Sequence, residues 1–372
     1  MILRKDGSVW TTGGNSWGQL GDGTQTDRNS FAEVIAGGVK AIAAGKTHSM
    51  ILKTDGSVWT TGENTFGQLG DGSRITRSGF VRVVASDSLL TDAADWYDNF
   101  LPKEYSSWKG KNPFRDDDDV VQLVAIGVAA GAFHSMILDA DASVWATGWN
   151  MYGQLGDGTK TGKASFVRVV WGGAQTIAAG YAHSMVLNKD GSVWTTGRND
   201  YGQLGDGSIA DKSTFERVVS SGAKAVTAGL SHSLILKKDG SVWATGENTF
   251  GQLGDGSRSV YTRKQFVQVV SSDVKAIAAG DAHSMILKKD GSVWTTGQNT
   301  FGQLGDGSES SVARNSFAQT NCSDANVIDA SGYHSMLLKG DGSVWVAGYN
   351  NEGQLGDGST TGSNIFMKIN ST

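Results

Sequence analysis

A chain of 372 residues with 52 glycines, two prolines, one cysteine and 38% hydrophobic residues fits a β-rich body full of tight turns, and fits neither a collagen-like nor a disordered chain. A formal charge of −5 disfavours nucleic acid as a partner, because phosphate contacts need a basic patch, and no run approaches the ~20 apolar residues of a membrane span. The start "MILRK" holds no apolar signal core and the lone Cys322 cannot close an internal disulfide, so an intracellular setting, cytoplasmic or nuclear, is expected.

The hexapeptide GQLGDG occurs seven times, beginning at Gly18, Gly67, Gly153, Gly202, Gly251, Gly302 and Gly353, with spacings of 49, 86, 49, 49, 51 and 51 residues. Each unit carries four strand-like segments, A to D. In the copy that begins near Lys275, "KAIAAG" and "HSMIL" are short apolar runs and "SVWTTG" is rich in β-branched and aromatic residues. In the preceding unit "FVQVV" (Phe266 to Val270) alternates as a fourth strand. Four short strands per unit predict one propeller blade per unit, and a propeller grows by adding blades. The expected architecture is therefore all-β, a seven-bladed propeller of four-stranded antiparallel blades spanning residues 1–372.

Along the chain, the first unit opens directly at strand B with "MIL", and the seventh closes after strand D at "FMKIN" (Phe366 to Asn370). Strand A is thus present six times. The second and third units are separated by an insertion: Phe to His spacing is 17 in five units but 54 from Phe80 to His134, placing 37 extra residues at a D–A link, roughly 85–121. From Ala85 to Asp119 this insert holds both prolines, nine acidic and four basic residues, which leaves equal numbers of each sign elsewhere. Leu89, Ala93, Trp96, Tyr97, Phe100 and Leu101 recur at helical spacing between a capping Ser88 and a terminating Pro102. A stripe this short either docks on the propeller's own rim or presents Trp96 and Tyr97 to a partner. "RDDDD" (Arg115 to Asp119) reads as a solvated linker or as a contact for a basic partner. In the third unit Ala142 replaces the Gly of the K-x-D-G turn, where both central residues need positive φ, at an expected cost of about 1 kcal/mol.

Antiparallel order puts the A–B loops (G-x-x-H) and C–D loops (G-x-N to GDGS) on one face and the B–C turns and D–A links on the other. All six histidines, His48, His134, His183, His232, His283 and His334, occupy one repeated position before Ser. Rotation spreads them round a ring, so they read as structural hydrogen-bonding groups rather than as a metal or catalytic cluster. The seven tryptophans of "SVW" read as blade-to-blade packing. GQLGDG lacks the G-K-[ST] of a phosphate loop and the spaced acids of a calcium loop, and reads as a tight turn. No catalytic, metal or cofactor residue is assigned.

Positions that vary while the scaffold repeats are the candidates for function. Before the histidines stand Lys46, Phe133, Tyr181, Leu230, Asp281 and Tyr333; after the Gly of G-x-N stand Gly14, Glu63, Trp149, Arg198, Glu247, Gln298 and Tyr349. Phe133, Trp149, Tyr181 and Arg198 fall in adjacent units and are of the kind that anchors interfaces, so they read as an interaction patch or as surface drift. The partner-binding candidates are these four with Leu230, Glu247, Asp281, Tyr333, Tyr349, Trp96 and Tyr97. The seventh unit departs furthest, with Glu352 at an otherwise aromatic position and "ASGYHSM" shifting the Gly.

The pattern D-G-S-V-W-x-x-G-x-N-x-aromatic-G-Q-L-G-D-G, followed by F-x-x-V and A-x-G-x-x-H-S, resembles the repeat of the regulator of chromosome condensation family. The resemblance covers all of the chain except roughly residues 85–121. It implies a seven-bladed propeller with strand A innermost. The missing A then leaves either a genuine three-stranded blade or a gap that about a dozen upstream residues would fill. For function it implies several roles, since the family includes an exchange factor for the GTPase Ran, a plant ultraviolet-B photoreceptor, ubiquitin-ligase modules and a bacterial β-lactamase inhibitor. The photoreceptor's G-W-R-H-T motif is matched in no copy, and no residue motif of the exchange factor's wedge is found in the insert. The expectation is a monomeric protein-binding scaffold that acts through one face, the insert, or both; the alternative is a guanine-nucleotide exchange factor for a small Ran-like GTPase, with no classical catalytic group.

Overall fold

The computed structural model describes residues 1–85, 123–308 and 313–369. They form 27 strands, β1 to β27 in chain order, and no helix among the described residues. The expected helix near Trp96 and the acidic run at Arg115 lie outside the described residues. The strands assemble into six four-stranded antiparallel sheets and one three-stranded sheet. Seven blades result, spanning 2–35, 39–84, 125–170, 174–219, 223–270, 274–319 and 325–368.

Blade two shows the pattern in full. β4 (Val39–Ala44), β5 (His48–Lys53), β6 (Val58–Gly62) and β7 (Arg77–Val84) pair in chain order, each antiparallel to the next. The A strands of successive blades pack against one another around the axis, as the resemblance implied. Strand B is buried on both faces, which is why "HSMIL" is a continuous apolar run rather than an alternating one. In blade three Ala142 keeps the turn with φ 69°, but Asp141 before it does not share the positive φ expected of both central residues: in each B–C turn only the last residue of the motif is left-handed.

Blades adhere through three repeated contacts, and the sequence motifs are their parts. On the outer rim, the Asp of every GQLGDG loop bridges strand D of the next blade, from Asp22 to Gly79 round to Asp357 with Ser30. Beside it the Phe of that next strand lies over the loop's central glycine: a Cβ on Gly356 would stand 2.4 Å from the Phe31 ring. GQLGDG is therefore a turn, as read, and also the latch between blades. In six of the seven loops a Lys or Arg of the same blade pairs with this Asp, and in most an Asn donates to it as well, as at Asp71 with Asn64 (2.9 Å) and Arg77 (2.9 Å).

Nearer the axis the histidines form a staple. His232 Nε2 meets Ser284 Oγ at 2.9 Å, and that hydroxyl donates to the Gln252 carbonyl at 2.7 Å. Because the serine hydrogen is committed to the carbonyl, the imidazole must donate from Nε2, which fixes the neutral tautomer. The same staple joins His48 to Ser135, His134 to Ser184, His183 to Ser233 and His283 to Ser335. Burial pushes His48 and His232 down to about 4 and His134, His183 and His283 to about 3. The Gly three residues earlier makes room: a Cβ at Gly280 would lie 2.1 Å from His283 Cε1. The histidines are structural.

The third contact is apolar. Trp59, Trp145, Trp194, Trp243, Trp294 and Trp345 each pack against the preceding blade's core residues.

Blade one has three strands: β1 (Ile2–Leu3), β2 (Val9–Gly13) and β3 (Arg28–Ile35). Among the described residues no strand pairs the inner edge of β1. In blade seven, β24 (Ala325–Ser331) runs one residue further than its counterparts, with Ser331 opposite His334. Ser331 stands where the other blades have the His-facing glycine, and Gly332 takes the turn with φ 50°. The shifted "ASGYHSM" thus gives blade seven an A–B turn of its own, one residue later than in the other blades.

Candidate functional site

The two variable loop sets do share a face, and they touch. In six blades the amide after the Gly of G-x-N donates to the carbonyl before the histidine: Trp149 to Phe133 at 2.8 Å, Arg198 to Ala182 at 2.9 Å, Tyr349 to Tyr333 at 2.9 Å, and likewise Glu63, Glu247 and Gln298. Strands C and B therefore present each blade's variable pair as one unit, on a rigid base.

In blades two to four these units merge into one aromatic sector. Phe133 stands edge-on to Trp149 (5.8 Å) and Tyr181 (5.6 Å), and Trp149 is edge-on to Tyr152 (5.3 Å). Phe66 adds contacts to Phe133 (5.5 Å) and Trp149 (5.8 Å). Edge-to-face geometry of this kind rigidifies the rings while leaving part of each in solvent. Lys46 reaches over Tyr181 (5.5 Å) and Phe133 (5.9 Å), and Arg198 lies beside Tyr152 (5.4 Å) and Tyr201 (5.6 Å) while bonding Asp200 at 2.6 Å. Met151 projects beside them at 59% exposure.

The opposite sector is acidic and polar. Burial raises the Glu247 and Asp281 carboxyls, Lys46 partly opposing the shift of Asp281. Tyr333 is raised by its own partial burial and by the Asp281 charge. Tyr333, 38% exposed, and Tyr349 close a second, smaller aromatic group on Phe301, at 5.1 and 4.9 Å. Leu230 is half-buried between Tyr181 and Asp281, whose carbonyl accepts its amide at 3.2 Å.

The structure thus brings Phe133, Trp149, Tyr181 and Arg198 together and places Leu230, Glu247, Asp281, Tyr333 and Tyr349 around the remainder of the same face. Trp96 and Tyr97 lie outside the described residues. Sequence reasoning missed Phe66, Tyr152, Tyr201 and Phe301, which occupy the aromatic position before GQLGDG. That position repeats, so it read as scaffold. Its signal was available in the loop itself, since a large ring in a polar turn next to three glycines has no strand to bury it.

The described part of this face carries half-exposed rings on hydrogen-bonded loops, with Lys46 and Arg198 beside them and Glu247 and Asp281 on the opposite sector. Among the described residues no helix is long and apolar enough to cross a membrane.

Comparison with known proteins agrees with the fold. The model for the "Regulator of chromosome condensation (RCC1) repeat" matches residues 6–52, 190–236, 239–287 and 290–338, and a second model of the same repeat matches 39–68, 125–154, 175–203, 223–252, 274–303 and 327–354. The human X-linked retinitis pigmentosa GTPase regulator is 33% identical over 94 residues, 25% of this chain and 9% of that protein. Mouse Protein RCC2 is 35% identical over 91 residues, 24% of this chain and 18% of its own. The matches therefore span a small part of these curated relatives. Among solved structures, Prp20p from Saccharomyces cerevisiae superposes with a TM-score of 0.80 at 18% identity, covering 100% of this chain and 88% of that one. Human WBSCR16 gives 0.78 at 19% identity, covering 98% and 93%. At these identities the likeness is one of fold.

Proposed function

This chain belongs to the family of regulator of chromosome condensation (RCC1) repeat proteins, and on that premise we propose that it is a scaffold that binds protein through its A–B and C–D loop face. The observation that carries this reading is the contiguous aromatic sector of Phe66, Phe133, Trp149, Tyr152 and Tyr181, rimmed by Lys46 and Arg198. Rings held edge to face and anchored on inter-loop hydrogen bonds lose little freedom on binding, which favours their use as anchors.

A second reading, exchange of guanine nucleotide on a small GTPase, is favoured by the printed names of relatives: a GTPase regulator, and a Prp20p structure described with its binding to Gsp1p and histones. Such an activity works by stabilising a nucleotide-free partner and needs no acid or base in this chain.

The two readings are tested together. A photocrosslinking residue placed at Met151, in the aromatic sector, should trap a protein from source-cell lysate that the same residue at Trp171 does not; Trp171 is 68% exposed and follows strand D on the other face. Equal trapping at both positions would remove the sector from the account. Accelerated release of fluorescent GDP from the trapped partner at substoichiometric amounts would then select the exchange-factor reading, and its absence the scaffold reading.

A further inference from the structure

Round the aromatic sector the acids are committed and two of the cations are not. In blades two to four the loops of this face carry Lys46, Arg74, Lys160 and Arg198 beside Glu63, Asp200 and Asp211. The latch aspartates of these blades hold cations of their own strand D. Glu63 is buried and accepts the Thr47 hydroxyl at 2.7 Å. Asp200 is bonded to Arg198 at 2.6 Å, and Asp211 takes the Asn199 amide at 2.9 Å and lies 3.8 Å from Lys160. Lys46 and Arg74 are exposed and, among the described residues, stand within ion-pair distance of no carboxylate. The charge of Lys46 is felt by Asp281 of the opposite sector, but from beyond that distance.

The two cations flank the rings. Lys46 leans from its A–B loop over Tyr181 and Phe133, toward blades three and four. Arg74 lies toward the rim, where one guanidinium nitrogen donates to the Thr65 carbonyl at 3.1 Å, next to Phe66, while the residue stays exposed. Met151 and Ile75, 59% and 62% exposed, extend the apolar surface on the same loops. Half-exposed rings beside free cations fit a ligand with apolar bulk and negative charge. An acidic peptide and a single-stranded nucleic acid both have these, and the ring geometry separates them. Interplanar angles of 82° to 90° among Phe133, Trp149, Tyr152 and Tyr181 give a faceted surface, without the parallel platform on which successive bases stack.

Resting on the reading of this face as a protein-binding one, we propose that the segment it takes is an acidic peptide built round one bulky apolar residue. That residue, aromatic or leucine, seats against Phe133 and Trp149, and carboxylates on either side of it meet Lys46 and Arg74. The rings supply most of the affinity, and the flanking charge pairs fix orientation and speed encounter.

The test is fluorescence anisotropy of the whole chain at low salt with three labelled peptides: GDDLWDDG, its charge reversal GKKLWKKG, and GDDSGDDG, which lacks the apolar pair. GDDLWDDG should bind with a Kd below about 1 mM, and more weakly as salt rises. Lys46→Glu and Arg74→Glu, both at exposed positions, should each weaken it roughly 3- to 10-fold with unchanged circular dichroism, and Trp171→Ala should leave it unmoved. The proposal is overturned if GKKLWKKG or GDDSGDDG binds as tightly, if neither charge reversal on the protein weakens GDDLWDDG, or if a labelled oligothymidylate of similar charge binds more tightly. Failure of the underlying reading looks different. With GDDLWDDG and the crosslinking residue at Met151 both silent, the face itself is removed, whereas a protein trapped at Met151 that GDDLWDDG does not displace removes only the acidic chemistry.

Discussion

The seam between blades five and six and the seam between blades seven and one carry the same outer latch and differ inside. At the first, Asp255 bridges Ser316, Phe317 covers Gly254, His232 staples to Ser284, and Ile277 caps Leu236. At the second the described residues make the rim contacts, Asp357 with Ser30 and Phe31 over Gly356, with Thr12 on the Gly353 carbonyl at 2.8 Å, and show no His-Ser staple. Blade adhesion thus has two separable parts, an outer latch carried by GQLGDG and Phe, and an inner closure carried by strand A and the His-Ser pair. Among the described residues the latch bridge is made at all seven seams and the His-Ser staple at five.

Acid provides the largest expected effect on this contrast. Six histidines, the five stapled ones and His334, are held neutral by burial at about 3 to 4, against about 6.5 when unfolded. Their folded values are depressed, so the unfolded chain binds the protons first. Stability is fully present above pH ~6.5 and falls as pH drops toward 4, by about 1.4 kcal/mol per pH unit for each fully titrating histidine. Urea unfolding at pH 7.5, 6 and 5 checks this; a midpoint that does not move would mean that these histidines are not buried neutral.

Phe31→Ala removes the rim contact at a seam where the described residues show no His-Ser staple. A loss of about 3 kcal/mol or more is expected, with faster amide exchange throughout blade one. Phe317→Ala should cost a similar amount globally but leave exchange in blade six slow, because the inner closure there persists. Equal local opening in both variants would contradict the division into two parts.

Histidine replacement is a smaller and cleaner contrast. His283→Ala leaves a cavity and takes the donor from the Ser335 oxygen, whose own hydrogen stays on the Gln303 carbonyl, and should cost about 2 to 3 kcal/mol. His334→Ala, with no serine opposite, should cost less than about 1 kcal/mol. Matching losses in chemical denaturation would show that the staple is not what these histidines contribute. The smallest change is Ala142→Gly, which relieves a non-glycine φ of 69° and should stabilise by up to about 1 kcal/mol.

Most of the fold was legible because each motif repeats with its contact. Seven copies of GQLGDG, five of G-x-x-H-S and the strand runs state the blade count and the strand order. The second half of each contact was harder to see, because it lies in the next blade: that Gly356 exists to admit Phe31, and that Ser335 serves His283, are facts of ring closure at long sequence separation. The site was half legible. Variation between copies singled out Phe133, Trp149, Tyr181 and Arg198, which the loops do bring together, but it hid Phe66 and Tyr152, whose position repeats and still faces solvent. A repeated residue can serve the surface when its rings merge with variable neighbours in only one sector.

The most direct test of the functional account is a quantitative pull-down with three baits that share one fold: the whole chain, Trp149→Ala with Tyr181→Ala, and Trp171→Ala on the opposite face. The account predicts that a protein held by the whole chain and by Trp171→Ala is lost from the double variant, with unchanged circular dichroism. Retention by the double variant and loss from Trp171→Ala would place recognition on the other face and contradict it.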